Sequence, residues 1–375
     1  MTTYSNAFVF TGSGFKKKSF AVEKGLFAEP SASECGVDLS GKYIIPGLMD
    51  IHTHGNSGCD FSDGDSEGLK KMALYYAENG VTAFCPTSMT LPYETLKQAF
   101  KTVAGYEKTR PDRAARIPGI NMEGPFFSEK KKGAQNGAYL RKPDIKAFEE
   151  LYKAAGGLIS LVDIAPELEG AVHFTEKAGE LCTVSVAHTD ASYEQANALF
   201  EAGATHLTHM FNGMPPIHHR NPGVIGAAAE RENVYAELIG DGHHVHESVA
   251  RMAFKLFPDR ICLISDSLRC AGMPEGEYDV GGQRVWLKDK LARLADGTIA
   301  GSAVTVWDCM KNAIRFGIPV PDAIKAATIN PAKSIGADKM YGSVEPGKYA
   351  DFIICDENLN REKVFIGGTC ITDSN

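Results

Sequence analysis

The stretch Tyr43-Ile44-Ile45-Pro46-Gly47-Leu48-Met49-Asp50-Ile51-His52-Thr53-His54-Gly55 is an apolar run that ends in two histidines spaced i, i+2. Successive side chains of a strand alternate faces, so His52 and His54 point one way while Thr53 points the other. Two imidazoles on one face can share a metal ion. At the carboxyl end of a parallel barrel strand the pair would lie where such barrels build their active sites. Taken alone, the pattern equally suits a strand end with two hydrogen-bonded histidines, so the residues beyond Gly55 must decide between the two.

Beyond Gly55 short apolar runs alternate with amphipathic segments. Residues 81–85, 117–122, 158–164, 183–187, 205–208, 235–239 and 261–265 read as strands. They lead into Pro86-Thr87, Glu123, Ala165-Pro166-Glu167, His188, His209, Asp241 and Asp266. With the strand ending at His52 they make eight. Amphipathic segments such as 67–79, 93–106, 145–155 and 193–202 fill the gaps. Eight strand–helix units predict a (β/α)8 TIM barrel, an α/β fold whose parallel strands are buried on both faces. Residues 273–297 read as a hairpin insertion on the eighth loop, and two later helices, 303–316 and 321–327, lead the chain onward.

The two ends have a different texture. Residues 7–10, 19–22 and 25–28 near the start, and 349–356 and 363–368 near the end, read as short strands. Neither fragment is large enough for its own core, so together they predict one small β-sandwich domain, residues 1–45 plus 343–375, beside a barrel of residues 46–342.

Composition narrows the function. A net charge of -8 without a long basic run disfavours a nucleic-acid partner, and no apolar run approaches the ~20 residues of a membrane span. The first residues lack a charged start followed by an apolar core, which predicts a cytoplasmic protein. Nine cysteines, Cys35 among them, are odd in number and never arranged as Cys-x-x-Cys, against a disulfide scaffold or a thiolate zinc site.

In a parallel barrel all strand carboxyl ends meet at one rim, so His52, His54, Glu123, His188, His209 and Asp266 converge despite their separation in sequence. Four imidazoles and two carboxylates form a nitrogen and oxygen ligand set suited to Zn²⁺ or Fe²⁺. Any one of them alone is compatible with a hydrogen-bonded strand-end residue; all six falling at the same end points to a metal site.

Over essentially its whole length the sequence resembles the amidohydrolase superfamily and, within it, the N-acetylglucosamine-6-phosphate deacetylase family. The resemblance is carried by Pro46-Gly47-Leu48-Met49-Asp50-Ile51-His52-Thr53-His54-Gly55, Asn121-Met122-Glu123-Gly124-Pro125-Phe126-Phe127, Ala187-His188-Thr189 and Thr205-His206-Leu207-Thr208-His209-Met210-Phe211-Asn212-Gly213-Met214-Pro215. It continues through Gly240-Asp241-Gly242-His243-His244-Val245, Ser265-Asp266-Ser267 and Glu345-Pro346-Gly347-Lys348-Tyr349-Ala350-Asp351-Phe352. The His-x-His pair and the closing motif are common to many amidohydrolases, whereas the glutamate of the third strand and Asn212-Gly213-Met214-Pro215 are specific to the deacetylases.

The resemblance implies hydrolysis of N-acetylglucosamine 6-phosphate to glucosamine 6-phosphate and acetate. It makes Glu123, His188 and His209 the main metal ligands and Asp266 the catalytic aspartate, with His52 and His54 holding a second ion together with Glu123 and Asp266. One or two divalent ions, Zn²⁺ or Fe²⁺, are therefore expected per subunit. Arg220, His244, Asn212 and Gly213 are implied as phosphate contacts, and Asp241, Ile299, Ala300 and Gly301 as sugar contacts. Arg220 is expected near a neighbouring subunit's site in a homodimer. Ala134-Gln135 stands where many relatives carry a histidine that holds the acetyl carbonyl; the Gln135 amide can donate a hydrogen bond but cannot become cationic. Two other readings stay open: the same chemistry on N-acetylgalactosamine 6-phosphate or another amide, and a non-enzymatic assembly protein, which would be expected to have lost metal ligands.

Overall fold

The structure, a computed structural model, describes residues 1–30 and 36–372. The run 43–55 divides at Gly47 into two strands that serve different sheets. A Cβ at Gly47 would collide with the Thr82 side chain, so only glycine lets the chain pass this close to its neighbour. Before it, Tyr43–Pro46 pairs with Thr2–Phe10 and Phe352–Cys355. After it, Leu48–Thr53 pairs in parallel with Val81–Pro86.

We number the parallel strands β1 (Leu48–Thr53), β2 (Val81–Pro86), β3 (Ile120–Phe126), β4 (Ile159–Ile164), β5 (Thr183–Val186), β6 (His206–Leu207), β7 (Tyr235–Ile239) and β8 (Ile261–Ile264). From β3 to β8 each pairs with the next in parallel. Phe84 N donates to Arg116 O and Ser88 N to Asn121 O, joining β2 to the β3 segment, and Asp266 N donates to His52 O, joining the end of β8 to β1. The chain is an α/β fold whose parallel strands are arranged consistently with a barrel. Every residue of β1, β2 and β3 is buried, as strands covered on both faces require.

Helices form where capping residues precede an apolar stripe. Asp65 caps Ser66–Glu78, which buries Leu69, Met72, Ala73, Tyr76 and Ala77; Asp144 caps Ile145–Ala154, and Ser192 forms a capping box with Gln195 at Tyr193–Glu201. The segment 273–297, read as one hairpin, is part of a four-stranded antiparallel sheet: Gly276–Val280, Gln283–Lys288, Leu291–Leu294 and Ile299–Ser302. After Val306–Arg315 and Val320–Ala326 comes a third helix, Ile329–Ser334. Pro331 sits in its first turn, where a missing N–H breaks no bond.

Strands from both chain ends share one sheet through Tyr43–Pro46. Leu26–Ala28 lies four strand spacings from Phe352–Cys355 in the sheet order, about 19 Å if the sheet were flat. The Phe27 and Phe352 rings are nevertheless 6.0 Å apart, and Phe27 exchanges backbone hydrogen bonds with Gly347 and Lys348. The sheet therefore curls back on itself around Tyr4, Phe20, Phe27, Phe352 and Phe365.

A partly buried ion pair ties this sheet to the parallel strands. Arg116 Nε donates to Asp351 Oδ2 at 3.1 Å, the guanidinium lies 4.0 Å from the Tyr349 ring centroid, and Asp351 Oδ1 accepts from Gly367 N. Asp351→Ala leaves that guanidinium unpaired. A loss of about 3 kcal/mol is expected, read as a lower denaturant midpoint; an unchanged midpoint would show that the Tyr349 contact alone holds Arg116. The eight described cysteines are free, Cys35 lies outside the described residues, and no described helix is long and apolar enough to cross a membrane.

Candidate active site

All six expected ligands meet at one rim of the parallel strands. His52 is on β1 and His54 one residue past it, Glu123 lies inside β3, and His188, His209 and Asp266 each follow the end of a strand by two residues. His188, His209 and Asp266 have φ of 42°, 26° and 49°, a left-handed conformation that costs a residue with a Cβ energy and clusters at functional sites. It ends each strand just where the side chain must turn toward its neighbours.

Glu123 is the centre of the arrangement. Its Oε1 lies 3.0 Å from His188 Nε2, 3.1 Å from His209 Nε2 and 3.6 Å from His52 Nε2, and its Oε2 lies 3.4 Å from His54 Nε2. Asp266 Oδ1 lies 3.3 Å from His54 Nε2 and 3.7 Å from His52 Nε2. Two groups with metal-ligand spacing result: His52, His54 and Asp266, and Glu123, His188 and His209.

The rings are fixed from behind. His54 Nδ1 lies 3.1 Å from Thr87 O and His188 Nδ1 2.8 Å from Lys131 O. A carbonyl only accepts, so each Nδ1 carries a proton, and Nε2 is the atom that faces the centre and would offer its lone pair to a cation. His52 Nδ1 meets Glu237 Oε2 at 2.9 Å. His188 Nε2 and His209 Nε2 face each other at 3.1 Å, and His52 Nε2 is buried without a hydrogen-bond partner. Convergent imidazole nitrogens among carboxylates, with such an orphaned acceptor, fit a divalent cation.

The charges agree. Burial disfavours an ionised His52, but Glu237, Glu123 and Asp266 outweigh it and hold its pKa well above the ordinary value; His54 is raised in the same way. Burial likewise opposes ionisation of Glu123, yet the surrounding histidines hold it well below the usual carboxylate range. A cation would replace these protons as the counter-charge. Asp266 is lowered against burial, chiefly by the hydrogen bond from His54 and the charge of His52, and so is ionised at neutral pH.

Above the ligands lies a cavity lined by His54, Glu123, His188, His209 and Asp266 together with the expected Ala134, Gln135, Asn212, Gly213, His244, Ile299 and Ala300. Met89, Gly133 and Thr298, not singled out from sequence, line it too. Three expected contacts stand outside it. Asp241 Oδ2 is 2.6 Å from His244 Nδ1 and its Oδ1 accepts from the backbone of His243 and His244, so it orients His244. Gly301 runs beneath Asp266, where a Cβ would meet Asp266 O at 2.9 Å. Arg220 is exposed beside His219. The Gln135 amide is committed at both ends: Nε2 donates to Glu123 Oε2 at 2.6 Å and Oε1 accepts from Thr90 N at 2.6 Å.

Sequence reasoning missed Glu237 and His206, a fully buried pair beneath the ligands with Oε1 to Nε2 at 3.2 Å. The available signal was a glutamate inside the otherwise uncharged strand Tyr235–Ile239. A second cavity of about 530 Å³ lies at the amino ends of β4 and β5, and none of the six ligands lines it.

Fold and donor set together define a metal-dependent hydrolase of the amidohydrolase family, and the chain belongs to that family, whose model matches residues 43–371. It is 36% identical over 335 residues to the N-acetylglucosamine-6-phosphate deacetylase of Vibrio furnissii, covering 88% of this chain and 83% of that one. It is 34% identical over 327 residues to the N-acetylgalactosamine-6-phosphate deacetylase of Escherichia coli O157:H7, covering 87% and 86%. Among solved structures, a mutant N-acetyl-D-glucosamine-6-phosphate deacetylase from Mycobacterium smegmatis, in complex with N-acetyl-D-glucosamine-6-phosphate, superposes with a TM-score of 0.91 at 28% identity over 99% of both chains. More narrowly, the chain belongs with the N-acetylglucosamine-6-phosphate deacetylases.

Proposed function

We propose that this chain hydrolyses N-acetyl-D-glucosamine 6-phosphate to D-glucosamine 6-phosphate and acetate, serving amino-sugar catabolism and cell-wall recycling. The observation that carries the reading is the intact set of six donors around Glu123 in a chain so similar to deacetylases of this specificity. An assembly protein would have no use for a complete ligand set.

Glu123, His188 and His209 would hold one divalent ion, Zn²⁺ or Fe²⁺, and His52, His54 and Asp266 a second. When bound, such an ion polarises the amide carbonyl and makes water a nucleophile at neutral pH. Asp266, ionised and at the cavity wall, takes the proton of the attacking water and delivers it to the departing amine nitrogen. Without the second transfer the tetrahedral intermediate would expel hydroxide rather than amine.

For the substrate, His244 held by Asp241 and the Asn212-Gly213 backbone would receive the phosphate, joined by Arg220 from a neighbouring subunit of a homodimer. Ala134, Ile299, Ala300 and Gly301 would border the sugar, with Gln135 acting through Glu123. The parallel strands would close as a (β/α)8 TIM barrel over residues 46–342, beside a β-sandwich of residues 1–45 and 343–375. The hydrogen bond from Asp266 N to His52 O and the curled terminal sheet support that division. Unpaired cysteines support a cytoplasmic location.

The near-equal identity to an N-acetylgalactosamine-6-phosphate deacetylase favours one second reading, the C4 epimer as substrate. Acetate release from both sugar phosphates and from unphosphorylated N-acetylglucosamine, before and after chelation, tests the proposal. Release from N-acetylglucosamine 6-phosphate, falling at least about a hundredfold on chelation and restored by metal, is expected. Faster release from the galacto epimer would replace the substrate, and release from neither would overturn the reading.

A further inference from the structure

The buried glutamate beneath the site touches both halves of the ligand set. Glu237 Oε2 lies 2.9 Å from His52 Nδ1 and accepts from His209 N at 3.0 Å, while Oε1 lies 3.2 Å from His206 Nε2. Glu237, His52 and His206 are fully buried, and Glu237 does not line the cavity. We propose that Glu237 is the positioning residue that sets His52 and His209 together, aligning the two halves of the metal centre without touching metal or substrate. The inference rests on the metal-centre reading above.

Three side-chain contacts and one backbone bond carry it. An ionised carboxylate only accepts, so His52 must present Nδ1–H to it and turn Nε2 toward Glu123 and Asp266. The same oxygen satisfies the N–H of His209, whose φ of 26° is unfavourable for a residue with a Cβ. Met210 N also donates to Glu237 O, so backbone and side chain of one residue together fix the turn that delivers His209. His206 anchors the other carboxylate oxygen and stops the group from rotating. His52 belongs to one metal-binding group and His209 to the other, so a single carboxylate sets the geometry of both.

Position and charge can be separated by two substitutions. Glu237→Gln can keep the geometry: its oxygen accepts from His52 and His209, and its NH₂ donates to His206 Nε2 once that ring shifts its proton to Nδ1, which has no partner at present. Glu237→Met has similar bulk but no acceptor. Zn²⁺ affinity is measured by competition with a chromophoric chelator on metal-free protein whose fold is checked by circular dichroism, alongside kcat and KM. Glu237→Met is expected to weaken Zn²⁺ binding 10- to 100-fold and to lower kcat more than it raises KM. Glu237→Gln is expected to restore most of both.

Wild-type affinity in Glu237→Met, or equal losses in the two variants, overturns the positioning role while leaving the metal centre in place. Should the methionine variant not fold, Glu237→Asp, which withdraws the carboxylate by one methylene, must show the same loss of affinity, and wild-type affinity there also overturns it. A wild-type protein that takes no Zn²⁺ overturns the metal reading and this inference with it.

Discussion

Asp266→Asn is expected to lower kcat about a thousandfold, the scale of a lost general acid–base, in protein that still folds and still takes up metal. Asparagine keeps the shape of the side chain and an oxygen that can face His54 and His52, whose Nε2 atoms lie 3.3 and 3.7 Å from Asp266 Oδ1. What it loses is the capacity to accept a proton from water and return it to the amine. Because both transfers occur in the transition state rather than on binding, KM should stay within about threefold of wild type.

The pH profile gives a second check on the same residue. Asp266 is held below the ordinary carboxylate range by His54, His52 and His209, and a bound cation acts in the same direction. The ionised base is then present above that lowered pKa and lost only as pH falls through it, so activity on the acid side should fall first as the histidine ligands take protons and release the ion, before Asp266 is protonated. Steady-state kinetics with metal analysis of the same samples decides the matter: residual activity within about tenfold of wild type would remove Asp266 from proton transfer.

How much of this could be read in advance depends on the physical origin of each feature. The strand succession was legible because strands buried on both faces leave nearly uninterrupted apolar runs, and 235–239 matched β7 to the residue. The convergence of the six candidate residues was legible because a parallel arrangement brings all strand ends together, so which strand-end side chains meet needs no knowledge of loops. Register was less accessible. Glu123 lies within β3 because Ile120–Phe126 continues past the end of the apolar run at Met122. β6 shortens to two residues because His209 takes a left-handed turn that hydropathy does not record.

Partnerships were hardest to foresee. The pairing of Glu237 with His52 spans 185 residues, and an alternating pattern tells which face a residue occupies, not whom it meets there. Gln135 stands at a position implied to hold the acetyl carbonyl, and in the structure its amide donates to a strong acceptor, the buried Glu123 carboxylate, a partner that sequence does not record. The insertion was underestimated because Ile299–Ser302, which carries part of the cavity wall, begins just beyond the single hairpin read at 273–297.

The largest effect is expected at Glu123, and the form of its failure is set by its neighbours. In Glu123→Gln one end of the new amide must be NH₂. At the Oε2 position it would face the Gln135 Nε2 donor, now 2.6 Å away, so two donors would collide. At the Oε1 position it instead faces His188 Nε2 and His209 Nε2, at 3.0 and 3.1 Å, whose lone pairs can accept from it. The second orientation therefore prevails, and the amide protons occupy the acceptors that a cation needs. The variant should still fold in the absence of metal, somewhat less stably than wild type, because the hydrogen bonds of the buried cluster remain made while His52 and His54 lose part of their counter-charge. It should nevertheless take up no ion at Glu123, His188 and His209. Losing about 5 kcal/mol of transition-state charge stabilisation corresponds to nearly four decades in rate, so turnover should fall about ten-thousandfold. Added Zn²⁺ should raise the melting temperature of the wild type, as a ligand that binds only the folded state must, and raise that of Glu123→Gln less, through the His52, His54 and Asp266 group alone. An equal rise in both proteins would move the principal ion away from Glu123, and with it the centre around which this site is built.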